Sequence, residues 1–323
     1  MQFTVRHRSA DLERVSLSIK RRIKNAYKNI ERKLPSDSET ALLLLGQQMA
    51  RQVAKMPLNS SFREVGFKVF SQWDEDGIIQ HLISHIEIPN KTFVEFGVED
   101  YEESNTRFLL INNHWQGLVL DASSSDIRYI QSDKIYWQFD LQAKQAWITR
   151  ENIDTLISQA GFSEDVGLLS IDIDGNEYWI WEAIRSIKPR IVIVEYNGLF
   201  GLNPLSVPYQ EDFNKRIAHH SGLYFGCSLA ALEHLAKQKG YVLVGSNNWG
   251  HNAFFVRADV ASGIRQLTAR EAYIESPVRE SRDKHGNLTF VRGKDRIKLI
   301  EHMPITNVIT GHQSRLHESS SPR

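Results

Sequence analysis

The chain has 323 residues, 41% of them hydrophobic, and its 39 lysines and arginines are matched by 39 aspartates and glutamates. This is the composition of a globular protein, which excludes a disordered or collagen-like chain. A net charge of zero gives no ground for a nucleic-acid partner. The single cysteine, Cys227, allows no internal disulfide and fits a reducing compartment. It lies in Gly-Cys-Ser ahead of an apolar helical run, where a small packing residue is expected. The basic N-terminus leads into no apolar targeting segment, and its longest early apolar run is only Ala41 to Leu45. No stretch approaches a membrane span, so the expected location is cytoplasmic.

Residues 1–60 read as a helical arm. Leu12, Val15, Ile19, Ile23, Ala26, Ile30 and Leu34 recur in steps of three and four and define one helical face. The opposite face carries Arg14, Lys20, Arg21, Arg22, Lys24, Lys28, Arg32 and Lys33. Three readings stand beside one another: packing on its own domain, a homo-oligomer seam, or peripheral contact with an anionic membrane surface. Ser36-Asp37-Ser38-Glu39 then opens a second helix through Leu42, Leu45, Met49 and Val53.

Residues 61–260 alternate strand-like and helix-like runs. The expected strands are Thr92–Gly97, Gly117–Asp121, Ile135–Phe139, Val166–Asp172, Arg190–Glu195, Tyr241–Gly245 and Ala253–Arg257. Helical patterns at residues 105–112, 124–131, 149–160, 177–186 and 229–239 separate the first six. Such alternation implies an α/β fold with a mostly parallel sheet and helices on both faces. The last two strands are separated only by residues 246–252, too few for a crossover helix, so they form an antiparallel hairpin. Residues 261–323 read as a polar extension with a small hairpin around Asp283-Lys284-His285-Gly286-Asn287 and a disordered tail from Glu318.

The chemistry gathers at strand ends, where open α/β sheets bind ligands. The first strand ends in Glu95-Phe96-Gly97, and its following turn runs to Asn105. Gly97 lets backbone approach a ligand, and Glu95 is placed to accept hydrogen bonds from an ammonium or from loop amides. The three glycines of a dinucleotide fingerprint are missing, and Glu99, Asp100, Glu102 and Glu103 would repel a pyrophosphate. A cationic cofactor such as S-adenosylmethionine (SAM) would not be repelled. Asp121, ending the second strand, is spaced from Gly97 to hold ribose hydroxyls, although Asp121 or Ser123 can instead cap the next helix. Asp140, after the third strand, is assigned to the adenine edge.

The fourth strand runs into Asp172-Ile173-Asp174-Gly175 and the fifth into Glu195-Tyr196-Asn197. Asp172, Asp174, Glu195 and Asn197 therefore meet, and clustered carboxylates call for Mg²⁺ or a basic partner. Mg²⁺ there would orient an acceptor hydroxyl and lower its pKa. The plainer reading has Asp174 and Asn197 capping turns while Asp172 contacts SAM. His251, in the terminal hairpin, is a candidate general base and equally an ordinary loop histidine; Asp172 and Asp174 complete the candidate catalytic set.

A parallel sheet ending in an antiparallel seventh strand is similar to the Rossmann-like sheet of class I methyltransferases. The runs Ser71-Gln72-Trp73-Asp74-Glu75-Asp76-Gly77, Phe93–Gly97, Leu168–Tyr178, Ile193–Asn197 and Gly226–Val256 resemble FkbM-type SAM-dependent methyltransferases over residues 68 to 300. The resemblance implies O-methyl transfer to a hydroxyl of a saccharide or glycosylated precursor, in surface-polysaccharide or natural-product assembly. By the resemblance, Glu95 and Gly97 fall in the first SAM motif, Asp121 is the ribose acid and Asp172 follows the fourth strand. Ser71, Gln72, Glu75 and Asp76 match a segment that folds over the cofactor. The acidic Glu99-Asp100-Tyr101, standing where many methyltransferases keep glycines, leaves a second expectation: a non-catalytic module that binds a biosynthetic partner or a membrane. The missing glycines and the terminal hairpin speak against a nicotinamide-dependent oxidoreductase.

Overall fold

Alternation along the strands sets the two faces of the sheet. In β1 (Thr92–Phe96), Val94 and Phe96 join one apolar layer, while Phe93 joins the other. The same parity holds in β2 (Gln116–Asp121), where Leu118 and Leu120 oppose Val119. In β4 (Leu168–Ile171) and β5 (Ile191–Glu195) nearly every side chain is apolar and buried. That pattern requires helices on both faces. The computed structural model describes residues 36–319, so the expected basic helix over 12–34 lies outside the described residues.

With β3 (Leu141–Gln145), a two-residue strand β6 (Leu205–Ser206), β7 (Tyr241–Ser246) and β8 (Asn252–Arg257), the main sheet has the order β3-β2-β1-β4-β5-β8-β7. The first five members are parallel, and β8 lies antiparallel to both β5 and β7. The fold is therefore the α/β, Rossmann-like sheet of class I methyltransferases, seven-stranded with an antiparallel terminal hairpin. The switch in strand order falls between β1 and β4, and a ligand crevice opens there beyond the strand ends.

The third strand departs from expectation. Ile135–Phe139, though rich in β-formers, is occupied by a short helix, Lys134–Gln138, started by the Asp133 side chain accepting from the Ile135 amide. Trp137 is left 76% exposed on that helix. The strand begins instead at Leu141, paired with Gly117.

The sequence Asp74-Glu75-Asp76 leads into the helix Glu75–His85 and is buried. Asp76 accepts from the amides of Val69, Phe70 and Ser71. Glu75 accepts from Trp73 N and from the side-chain amides of Asn247 and Asn252, which ties this segment to the terminal hairpin. These carboxylates hold backbone together, and only Gln72 of this run lines the cleft.

Of two compact units, the second comprises residues 46–323. Within the second unit, β9 (Pro304–Asn307) pairs with both β6 and β10 (Gln313–Arg315), so the C-terminal residues join the segment that follows β5 in a small three-stranded sheet. The expected hairpin around Asp283 is reduced to one bridge between Arg282 and Leu288; a short helix spans Leu316–Ser319, and the rest of the expected tail, 320–323, lies outside the described residues. Among the described residues, no helix is long and apolar enough to cross a membrane.

Gly97 fixes how closely β1 and β4 converge. It has φ +73°, and a Cβ there would lie 1.6 Å from the carbonyl oxygen of Asp172. Gly97→Ala should therefore cost about 3 kcal/mol or more, measured as a fall in the urea unfolding midpoint. Gly161→Ala, also at positive φ but in open space, should cost distinctly less.

Candidate active site

The crevice at the switch point is a cleft of about 390 Å³. Glu95, Gly97 and Asn105 enter it from β1 and its loop, Asp121 from β2, Asp172 and Asp174 from β4, and Glu195 from β5. Among the described residues, the lining holds nine carboxylates and one cation, Lys215.

Glu95 interrupts an otherwise apolar sheet face and is almost wholly buried. It accepts from the Ser104 hydroxyl at 2.8 Å, the Asn105 amide at 2.9 Å and both the amide and hydroxyl of Thr106. Burial raises its pKa, and these donors oppose the rise. Asn105 completes the connection by donating to the Ser170 hydroxyl on neighbouring β4. Glu95 thus shapes the loop that covers β1, and its remaining lone-pair capacity faces the cleft.

The turn after Gly97 achieves without glycine what glycines normally provide. Glu99 and Tyr101 both have positive φ, 46° and 62°. Tyr101 is held there by complete burial, by its hydroxyl against Thr106 Oγ1 at 2.9 Å and by Arg107 donating to its carbonyl. The Glu99 amide donates to Asp121 Oδ2 at 2.9 Å. Side-chain anchors therefore impose a strained backbone that the sequence alone does not advertise.

Asp121 also accepts from the Ser123 amide at 2.7 Å. It is placed both to organise the next helix and to present carboxylate lone pairs at the strand end, with its pKa raised chiefly by burial. Ser123 itself caps that helix by position and lies outside the cleft lining. Asp140 is corrected: with β3 beginning at Leu141, it sits before the strand, exposed at the end of the sheet away from the cleft, with its carbonyl accepting from Gly117 N. At the cleft end of β3 the lining residues are Ala146, Trp147 and Ile148.

At the ends of β4 and β5, oxygen atoms of Asp172, Asp174 and Glu195 lie within 4.8 Å of one another. Asp174 adopts φ +60°, tolerable for an aspartate, and its carboxylate pairs with the Lys215 ammonium. Burial, then the charges of Asp174 and Glu177, raises Asp172 to about 7. Glu195 is raised well above the carboxylate range by burial and by Asp172 and Asp174, and its Oε2 is buried without a partner. Two carboxyls so placed retain a proton between them near neutral pH. Burial lowers the ammonium of Lys215, but Asp174, Glu195 and Asp172 outweigh that and leave it firmly protonated.

Asn197 is corrected as a ligand. Its amide donates to the carbonyls of Leu223 and Phe225 and its oxygen accepts from Leu199 N, so it is consumed in holding backbone. His251 also lies outside this cleft. It faces a neighbouring pocket, contacts Ser276 Oγ at 2.8 Å and stacks against Trp73. Burial, with Arg296 and Lys215 nearby, lowers its pKa to about 4, which leaves a weak base. Lys215, Phe213 and Glu211 were not anticipated. They come from the polar stretch after β6, and the ion pair that matters spans 41 positions with no periodicity to announce it.

No protein-family model matches the chain, and no curated protein sequence matches it. Among solved structures it is similar to the N-terminal domain of EvdMO1 with SAH bound, at 11% identity over 65% of this chain and 93% of that one, with a TM-score of 0.39. It is similar also to a S-adenosylmethionine-dependent methyltransferase from Clostridium acetobutylicum ATCC 824, at 10% identity over 61% and 92%, TM-score 0.36. For the carbon methyltransferase CurJ the identity is 10% over 57% of this chain, TM-score 0.35. The chain spans about half the length of that structure and of the DszA carbon methyltransferase, 52% and 53%. At such low identities and TM-scores, what the cleft does is argued from its own residues.

Glu177, at the start of the helix behind the cluster, accepts from Gly175 N at 2.7 Å and Ile173 N at 3.1 Å, while its Oε2 is buried and unpartnered. Burial raises it to about 7. A carboxyl raised above its unfolded value favours the native state at low pH, and that contribution is lost as pH climbs from about 4.5 through about 7. Thermal midpoints of the wild type should therefore fall between pH 5 and 8. Glu177→Gln should flatten that slope by on the order of 1–3 kcal/mol; an unchanged slope would remove Glu177 from the cluster's proton balance.

Proposed function

We propose that the protein is a SAM-dependent O-methyltransferase whose acceptor is a hydroxyl of a saccharide or glycosylated precursor. The observation that carries this reading is the charge of the cleft: nine carboxylates and one lysine at the switch point of a methyltransferase-type sheet. Such a lining favours a ligand with a sulfonium and an ammonium, and disfavours a dinucleotide or nucleoside triphosphate. Asp121 is positioned for ribose hydroxyls, Glu95 and the loop it shapes for the amino-acid end, and Trp147 and Ile148 for the flat base. The left-handed turn at Glu99 and Tyr101 removes the main support for a non-catalytic module, since this loop reaches its shape without extra glycines.

SAM, when bound, supplies an electrophilic methyl group. The chain supplies the proton acceptor. Asp172 and Glu195 lie at adjacent strand ends and share one proton, so the ionised member of the pair can take the proton of an acceptor hydroxyl as its oxygen attacks. Lys215 holds Asp174 and keeps the repulsion within bounds. Asp172, Asp174 and Glu195 also form an all-oxygen set that fits Mg²⁺, the unpartnered Oε2 of Glu195 being the clearest sign. A divalent ion there would polarise the acceptor hydroxyl in place of the proton-sharing pair.

Calorimetry with SAM and with its demethylated product should show micromolar binding that Asp121→Ala weakens at least tenfold. Glu195→Gln should keep cofactor affinity within about threefold and lower turnover by about 100-fold or more. EDTA separates the two arrangements: lost turnover with intact SAM binding assigns the cluster to a metal, and unchanged turnover assigns it to proton transfer. Absence of SAM binding with and without Mg²⁺ would end the methyltransferase reading.

A further inference from the structure

A second pocket, of about 440 Å³, adjoins the acidic cleft and has the opposite electrostatic character. Its charged lining is Arg279, Arg292 and Arg296 against Glu275 alone, with His251 kept neutral at physiological pH by its lowered pKa of about 4. No carboxylate lies within ion-pairing distance of any of the three arginines among the described residues. Arg279 rests over the Phe290 ring. Arg296 is the most telling: its Nε is buried with no hydrogen-bond partner. The Arg296 guanidinium is half-buried with no hydrogen bond or ion pair among the described residues, and an anion at its accessible nitrogens would offset the cost of shielding that charge.

The pocket meets the cleft along two strand ends. Glu195 ends β5 inside the cleft, and the next residue, Tyr196, lines the pocket. Asn252 opens β8 inside the cleft, and His251 before it lines the pocket. Across the junction the Lys215 ammonium lies 5.3 Å from the ring centroid of Phe225, another pocket residue. The pocket thus borders the carboxyl cluster at the β5 and β8 strand ends, whereas Asp121 ends β2 on the other side of β1.

We propose that this arginine pocket binds a phosphate group of the methyl acceptor, so that the substrate class is a phosphorylated, hydroxyl-bearing molecule such as a sugar phosphate or nucleotide-linked sugar. Phosphate suits the site because planar guanidinium groups offer it paired donors, and three arginines less Glu275 leave a charge of +2 against its roughly −2. The neighbouring, partly exposed Phe225 and Tyr273 provide flat apolar surface for the ring that bears the hydroxyl. This identification of the substrate rests on the methyltransferase reading, but the anion site itself does not.

The test titrates the full chain with inorganic phosphate at constant ionic strength, followed by calorimetry, with acetate as the competing anion. Phosphate should bind in the low-millimolar range or tighter, acetate at least tenfold more weakly. Arg296→Gln and, separately, the exposed Arg292→Gln should each weaken phosphate at least fivefold while leaving affinity for demethylated SAM within twofold. Circular dichroism checks that each variant is folded, and Arg292→Gln, being on the surface, keeps the test alive if Arg296→Gln is not. Asp121→Ala should lose the SAM product and keep phosphate, so failure of the cofactor reading and failure of the anion site are separable. Phosphate that binds no better than acetate, or equally well to both arginine variants, would overturn the proposal.

Discussion

The close approach of β1 and β4 at their carboxyl ends is the constraint on which the site depends. Gly97 passes so near the Asp172 carbonyl that no side chain fits between them. That contact opens the crevice at the switch point and sets Asp172 beside the loop that leaves β1. The loop must then turn back over the sheet, and it does so through Glu99 and Tyr101 in left-handed conformations. Glu95, buried beneath, collects the loop's donors from Ser104 to Thr106 and prevents its relaxation. A strained turn, a buried carboxylate and a glycine with no room for a methyl group are parts of one arrangement.

A second consequence is the crowding of acids. Bringing β4 and β5 side by side puts Asp172, Asp174 and Glu195 within 4.8 Å of one another, with Glu177 behind. Coulomb repulsion inside a shielded site cannot be left uncompensated. The protein answers in two ways, by the Lys215 ammonium on Asp174 and by protons retained on the more enclosed carboxyls. With one proton held between Asp172 and Glu195, the ionised member of the pair is left as a proton acceptor, and the cost of burying acids becomes a chemical asset.

Much of this was legible in the sequence, and the remainder was hidden for identifiable reasons. The central strands β1, β4 and β5 announce themselves because strands buried on both faces read as continuous apolar runs. The terminal hairpin follows from a connection too short for a crossover. The edge strand β3 escaped, since Leu141–Gln145 is half polar, whereas the β-rich Ile135–Phe139 was turned into a helix by a single cap at Asp133. That one shift removed Asp140 from the cofactor. Asp121, Asp172, Asp174 and Glu195 were visible because strand-end position alone places them. Lys215 and the arginines of the second pocket were not, because they come from irregular segments whose partners are set by tertiary folding.

The two pockets divide the electrostatic work of the molecule. An acidic cleft lined by Glu195 and Asn252 and a basic pocket lined by Tyr196 and His251 are fields of opposite sign at neighbouring residues, and the proposed cofactor and acceptor phosphate have the charges to match. Neither field needs a net charge on the chain, and the overall balance of 39 to 39 conceals both. Segregation of charge, rather than its sum, carries the information about partners, which is why composition pointed to none. The terminal hairpin is what permits this separation. By turning β8 antiparallel to β5, it sets Asn252 beside Glu195 in the cleft, while the residues next to them along the chain, His251 and Tyr196, line the basic pocket.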